Sequence, residues 1–252
     1  MLRNVLFTAA VSTLAAIAGA QVWPPQLIAS FPAPPGARDV AFEGYGTLYV
    51  LSPGTPARVY TLATNGSIVG SFTVAVPSGA RGIAWDGYSF SRFWISERLN
   101  GYIYALTTAG SLTGSFRCPV GKPYGLGFSV YNPTHGNGLF ASCRDENVIV
   151  RLNQTTGSLL SSFAGPASAV IGYDDWLGVD RDSRYLYWDF NREWRVLDTL
   201  PALPYGVATG VLWPTDQDVR AFVLCRNGYI YRYAGYNAVA PASLGRVKAL
   251  FP

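Results

Sequence analysis

Residues 107–116 read TTAGSLTGSF, and the chain writes close variants of this phrase twice more: ATNGSIVGSF at 63–72 and QTTGSLLSSF at 154–163. A shortened form, LIASF, ends at Phe31. The closing residues Phe72, Phe116 and Phe163 lie 44 and 47 residues apart, and Phe31 lies 41 before Phe72. A period in the forties belongs to radial β-sheet arrays or to helical arrays. The residues between the phrases decide which.

Ahead of each phrase runs a stretch of alternating large apolar residues: RVYTL at 58–62, GYIYAL at 101–106, NVIVRL at 147–152 and GYIYRY at 228–233. Ahead of that comes a second apolar run: LYVL at 48–51, FWI at 93–95, LFA at 139–141, YLYW at 185–188 and AFVL at 221–224. Earlier still is a run built on small residues: DVAF at 39–42, GIAW at 82–85, GLGF at 125–128, LGVD at 177–180 and GVLW at 210–213. Turn signals such as Asp86-Gly87, Asn137-Gly138 and Asn227-Gly228 separate them. After residue 20, no window sustains helical spacing of apolar residues.

Each unit therefore predicts four short antiparallel strands, the first narrow and the next two broad. Narrow strands suit a crowded axis where sheets converge. Broad aromatic strands suit the wedge where they splay apart. The expected fold is an all-β propeller of four-stranded blades. Beyond residue 20 the chain has 232 residues. Five blades of about 46 residues fit best, and six of about 39 are the alternative. Residues 26–31 and 243–251 both spell an outer strand, so two segments compete to close the ring, which must pair first strand to last to leave no open edge.

The N-terminus, MLRNVLFTAAVSTLAAIAGA, places one Arg before a short apolar run and ends on Ala18-Gly19-Ala20. It reads as a secretory signal peptide cleaved after residue 20, leaving residues 21–252 as one domain. The run is too short for a membrane anchor, and no later stretch is long enough to span a bilayer. The expected location is extracytoplasmic: periplasm, cell surface or extracellular. Apolar residues make up 49% and charged residues 13%, with a formal charge of +4. The basic residues are scattered, which argues against a nucleic-acid footprint. So little charge is expected of a surface partly covered by a partner or by a second copy. Of Cys118, Cys143 and Cys225, the second and third hold matching places in different repeats. Cys118 with Cys143 is then the more plausible bridge, and the odd count leaves at least one thiol.

The units 82–87 (GIAWDG), 93–97 (FWISE) and 101–106 (GYIYAL) resemble the blades of NHL/YVTN-type β-propellers, whose repeats read roughly G-(I/L)-A-x-D…LYVAD…I-x-x-(L/F). The resemblance implies a propeller and no catalytic signature. The Asp expected after the second strand is Pro53, Glu97, Cys143 and Cys225 in four units, and only Asp189 keeps it.

Propeller ligands bind where the inner strands begin. The residues just before the narrow runs are Arg38, Arg81, Tyr124, Asp175 and Thr209, with Trp176 alongside. As a ring they would hold a polar or anionic ligand or a peptide carboxylate. The competing reading has the arginines paired with Asp39, Asp174 or Asp175. Asp174, Asp180 and Asp182, with Asp216 and Asp218, are candidate Ca²⁺ ligands, but Asp-rich turns more often cap backbone amides. His135 lies in a loop with no nucleophile motif near it. Asn65 and Asn153 sit in N-glycosylation sequons within the last hairpin of their units. Loop aromatics, namely Tyr88, Phe90, Tyr131, Tyr173, Trp176, Trp194 and Tyr236, suit a glycan or protein partner or the filling between blades.

Three functions are open at this point. The first, which the lack of a catalytic constellation favours, is a secreted binding or interaction module without a cofactor. The second is an enzyme at the mouth, either a metal-dependent lactonase or lyase or a glutaminyl cyclase. Residues 173–179 (YDDWLGV) and 185–189 (YLYWD) are similar to the E-G-W-G-L-T…Y-L-Y-x-S-D stretch of plant-type glutaminyl cyclases, which are five-bladed propellers. The chain departs from them at Asp174-Asp175 and has no F-x-E-G-L or N-E-L element. The third is a self-assembling surface or structural subunit.

Overall fold

A computed structural model describes residues 27–43, 46–87, 91–129, 138–143, 145–164, 170–171, 177–179, 184–188, 194–199, 208–212, 219–225 and 228–234. They form five four-stranded antiparallel sheets and no helix. The first holds β2 (Asp39–Phe42), β3 (Thr47–Ser52), β4 (Ala57–Ala63) and β5 (Ile68–Val74). The second holds β6 (Ala80–Asp86), β7 (Arg92–Glu97), β8 (Tyr102–Thr107) and β9 (Leu112–Arg117). The third holds β10 (Pro123–Ser129), β11 (Gly138–Cys143), β12 (Val148–Leu152) and β13 (Leu159–Ala164). The fourth holds β14 (Val170–Ile171), β15 (Leu177–Val179), β16 (Arg184–Trp188) and β17 (Trp194–Thr199). The fifth holds β18 (Ala208–Leu212), β19 (Val219–Cys225) and β20 (Tyr229–Ala234), and takes its outer strand from β1 (Leu27–Pro32).

The inner strands neighbour one another in a closed cycle, β2–β6–β10–β14–β18–β2. Of the two segments competing for the closing strand, β1 holds it, running antiparallel to β20 with Phe31 opposite Ile230. Residues 243–251 lie outside the described residues, as do 1–20.

One expectation is corrected. The run at 177–180 reads as an inner strand, but the hydrogen-bonding order makes β15 the second strand of the fourth sheet and the short β14 its inner strand. Asp189 therefore follows a third strand, β16, and not a second one. The spelling Leu-Gly-Val fits either place, and only the pairing separates them.

The sheets touch through side chains. Successive residues of a strand face opposite sheets. In β7, Phe93 and Ile95 pack on Leu51 and Val59 of the first sheet, while Trp94 packs on Leu126 and Leu139 of the third. A strand buried on both faces needs an unbroken apolar run, which is why residues 93–95 read FWI. Around Phe93 the rings of Tyr49, Trp85 and Phe72 lie with centroids 4.6, 4.7 and 5.6 Å away.

The recurring phrase forms an interlock. In each copy a glycine with φ of +72 to +90° turns the third strand into the fourth: Gly66, Gly110 and Gly157. Their amides donate to Ala63 O, Thr107 O and Asn153 O at 2.8–2.9 Å. A Cβ on Gly66 would meet the ring of Phe31, one on Gly110 the ring of Phe72, and one on Gly157 the ring of Phe116. Each phrase thus seats its glycine on the phenylalanine of the phrase before it: Phe31, Phe72 and Phe116 in turn.

Candidate functional site

Inner strands at a crowded axis must be thin, and Gly82 shows how thin. A Cβ there would come within 3.0 Å of Tyr124 O and Leu126 N on the neighbouring inner strand. The same crowding leaves side chains little room unless the strand breaks register. It does so at the candidate positions. Pairing of β6 with β7 shifts between Ala80 and Ile83, around Arg81. Pairing of β10 with β11 shifts between Pro123 and Gly125, around Tyr124. Pairing of β18 with β19 shifts between Ala208 and Gly210, around Thr209. Bulges re-aim the residue they contain. The one after Ala80 is held by Gly82 N–H donating to Ser96 Oγ at 2.8 Å, and the one after Pro123 by Gly125 N–H donating to Ser142 Oγ at 2.9 Å. In the first sheet the corresponding Ser52 hydroxyl donates to Pro35 O.

The two bulges bring Arg81 and Tyr124 together. The Arg81 guanidinium donates to the Tyr124 hydroxyl, and its carbon lies 4.2 Å from the centre of the Tyr124 ring. Arg98, on the turn after β7, lies 5.8 Å from the same ring. Two cations are therefore gathered on one phenol at the end where the inner strands begin. Arg38 is exposed just ahead of β2, its amide donating to Leu51 O at 2.8 Å. Thr209 is placed on β18 by its backbone. Asp174, Asp175, Trp176, Asp180, Asp182, Asp216, Asp218 and His135 lie outside the described residues. So do Tyr88, Phe90, Tyr131, Tyr173 and Tyr236, while Trp194 opens β17. Residues 172–176 join β14 to β15, so the position before the fourth inner strand passes from Asp175 to the residues ahead of Val170.

Asp39 accounts for part of the electrostatics. Its carboxylate, 1% exposed, accepts from Val40 N at 2.9 Å and from Ile83 N at 2.8 Å, bridging β2 to β6. Burial raises its pKa well above the usual value, against the opposing pull of those two amides and of the Arg81 charge. An aspartate raised in the folded state makes stability fall as pH rises. The unfolded chain ionises first, from about pH 4, and the folded protein pays the burial cost until its own group titrates. Asp39→Asn is expected to remove this fall and flatten the dependence of the melting temperature on pH above 4. A scan of melting temperature from pH 3 to 8 measures it, and an unchanged slope would contradict the assignment.

The sequence did not reveal a cavity of about 480 Å³ at the same end of the molecule, between the second and third sheets. Arg117 lines it from the end of β9, Cys118 and Lys122 from the β9–β10 crossover, and Asp145 and Glu146 from the β11–β12 turn. Cys118 and Cys143 meet behind it as free thiols, with sulfurs 3.6 Å apart. Asn65 and Asn153 are bound into their turns, accepting from Ser67 N at 3.0 Å and from Thr155 N at 2.9 Å. Among the described residues no group of three or more His, Cys, Asp or Glu is placed to hold a metal, and no helix is long and apolar enough to cross a membrane.

No protein-family model matches the chain, and no curated protein does. By structure it is similar to glutaminyl cyclase from Myxococcus xanthus, with a TM-score of 0.61 and 14% identity over 83% of this chain and 95% of that one. A streptogramin B lyase aligns at a TM-score of 0.46 and 13% identity, covering 83% of this chain and 86% of the lyase. A WD40 β-propeller domain aligns at 0.47 and 11%, covering 85% and 98%. The five four-stranded sheets whose inner strands close a cycle, together with the likeness to the glutaminyl cyclase, define the class: the chain has a β-propeller fold.

Proposed function

We propose that the chain is a binding module whose mouth, at the start of the inner strands, takes the anionic end of a small molecule or peptide. In this reading the protein is a single five-bladed propeller of the NHL/YVTN type over residues 21–252. It is secreted after removal of residues 1–20. The reading is carried by one observation: neighbouring inner strands each bulge at the residue that brings Arg81 onto Tyr124. The bulge recurs at the uncharged Thr209, so it belongs to the inner strands generally, and it is the meeting of Arg81 with Tyr124 that supports a charged mouth. Arg81 supplies the principal charge, Tyr124 orients its guanidinium, and Arg98 adds a second cation.

The test is titration calorimetry against a panel of peptides with free C-terminal carboxylates and their matched amides. Arg81→Ala is expected to weaken carboxylate binding about 10- to 100-fold, the ~1.5–3 kcal/mol of a charge-assisted hydrogen bond. Tyr124→Phe keeps the ring and is expected to cost less. Undiminished binding in Arg81→Ala would remove the site.

A second reading rests on the outer strands. In four of the sheets the outer strand opens on large apolar residues that stay exposed: Leu27 and Ile28 on β1, Ile68 and Val69 on β5, Leu112 on β9, Leu159 and Leu160 on β13. Val69 is 66% exposed. Such a girdle suits self-association, which sedimentation over a range of concentrations would detect.

A further inference from the structure

We propose that Cys118 and Cys143 form a thiol–disulfide exchange site that opens on the cavity between the second and third sheets and accepts a low-molecular-weight disulfide. Cys118 is the first residue of the crossover from β9 to β10, and its amide is fixed by Gly101 O at 2.8 Å. Cys143 closes β11. Their sulfurs stand 3.6 Å apart, within reach of a bond of about 2.05 Å after a small side-chain rotation. The two differ in access. Both are buried, Cys118 4% and Cys143 1% exposed, but only Cys118 lines the cavity, so a reagent entering it meets Cys118 first.

The surroundings also divide the roles. Cys118 sulfur accepts hydrogen bonds from the Cys143 thiol and from the amides of Val120 and Gly121, which hold its pKa down near 7 against burial and the Glu146 charge. The Cys143 thiol is pushed upward, first by its bond to Cys118 and then by burial, and stays protonated. The charged groups around the opening are Arg117 at the end of β9, Lys122 in the crossover, and Asp145 and Glu146 in the β11–β12 turn. Both signs of charge at one opening suit a zwitterionic disulfide.

The chemistry balances in two steps. The Cys118 thiolate attacks one sulfur of the incoming disulfide. That S–S bond breaks, one thiolate departs and takes a proton from water, and a mixed disulfide remains on Cys118. Cys143 then loses its proton to water and attacks Cys118 Sγ, expelling the second thiolate. Two protein thiols are oxidised and one external disulfide is reduced to two thiols. The product staples the β9–β10 crossover to the end of β11.

The experiment uses the folded, fully reduced chain carrying Cys225→Ser, with glutathione disulfide as probe. Samples are quenched by alkylation and mapped by mass spectrometry without reduction. Both remaining thiols are expected to disappear together and return as one Cys118–Cys143 linked peptide. Cys143→Ser is expected to accumulate a single glutathionyl group on Cys118. Cys118→Ser is expected to label at Cys143 at least tenfold more slowly. The rate for Cys143→Ser should rise with pH through a midpoint higher than that of the native pair, because the variant lacks the Cys143 thiol that does most to lower the Cys118 pKa. Linked peptide that forms only after denaturation, or equal labelling rates in the two single variants, would overturn the proposal.

Discussion

Replacing Phe93 by Ala is expected to destabilise the protein by about 3–5 kcal/mol, the range for a large aromatic removed from a packed core. For a chain of this size that corresponds to a fall in melting temperature of roughly 6–20 °C. Phe93 is 1% exposed and stands edge-on to Tyr49, their ring planes at 80°, with Trp85 and Phe72 against its other sides. Neighbouring sheets have no hydrogen-bond ladder between them here, so this aromatic cluster is their adhesive. The cavity left behind would collapse poorly, because each flanking strand is pinned within its own sheet. Tyr102, 37% exposed on the next strand, provides the comparison. Tyr102→Ala is expected to cost about 1 kcal/mol or less. Urea melts of the two variants decide the matter, and equal losses would mean that the wedge between sheets does not carry stability as argued.

Much of this fold was legible because sheets that converge on an axis impose a different composition on each strand. Inner strands must be small, as at Gly82, and middle strands must be broad and buried on both faces, as at Phe93-Trp94-Ile95. Those demands are written residue by residue. What was not legible is what depends on pairing. Residues 177–179 spell an inner strand and act as a second strand, because β14 takes the axis with only two residues. The closing strand had two acceptable spellings, and only hydrogen bonding to β20 selects residues 27–32.

The site was half legible for the same reason. Counting to the residue before each inner strand finds Arg81 and Tyr124, but not that they meet, since the meeting is made by bulges. A bulge is an extra residue relative to the opposite strand and has no spelling of its own. A partial signal was present: serine recurs as Ser52, Ser96 and Ser142 near the end of the second strand in the first three sheets, the last two tying down the start of an inner strand and Ser52 the loop ahead of β2. The cavity beside Cys118 joins a crossover to a turn in the next unit. No local pattern reports such a contact.

Gly110→Ala is expected to cost about 2–5 kcal/mol, and the same substitution four residues later, Gly114→Ala, less than about 0.5 kcal/mol. The two glycines belong to one copy of the repeated phrase, so the phrase itself cannot explain a difference between them. Gly110 has φ +83°, where a side chain is strained, and its Cβ would strike Thr73 O and the Phe72 ring of the preceding sheet. Left-handed strain of about 1–2 kcal/mol adds to overpacking of about 1–3 kcal/mol, and a backbone oxygen cannot move aside as a side-chain tip can. Gly114 faces open space, and nothing lies within 4 Å of a Cβ built there. Thermal melts of both variants separate two explanations of the repeat. If it records only the alternation of an outer strand, both substitutions are tolerated. If it records an interlock in which each hairpin glycine closes on the phenylalanine of the sheet before it, only Gly110→Ala unfolds early. Gly66→Ala against Phe31, and Gly157→Ala against Phe116, should then repeat the result at the neighbouring joints.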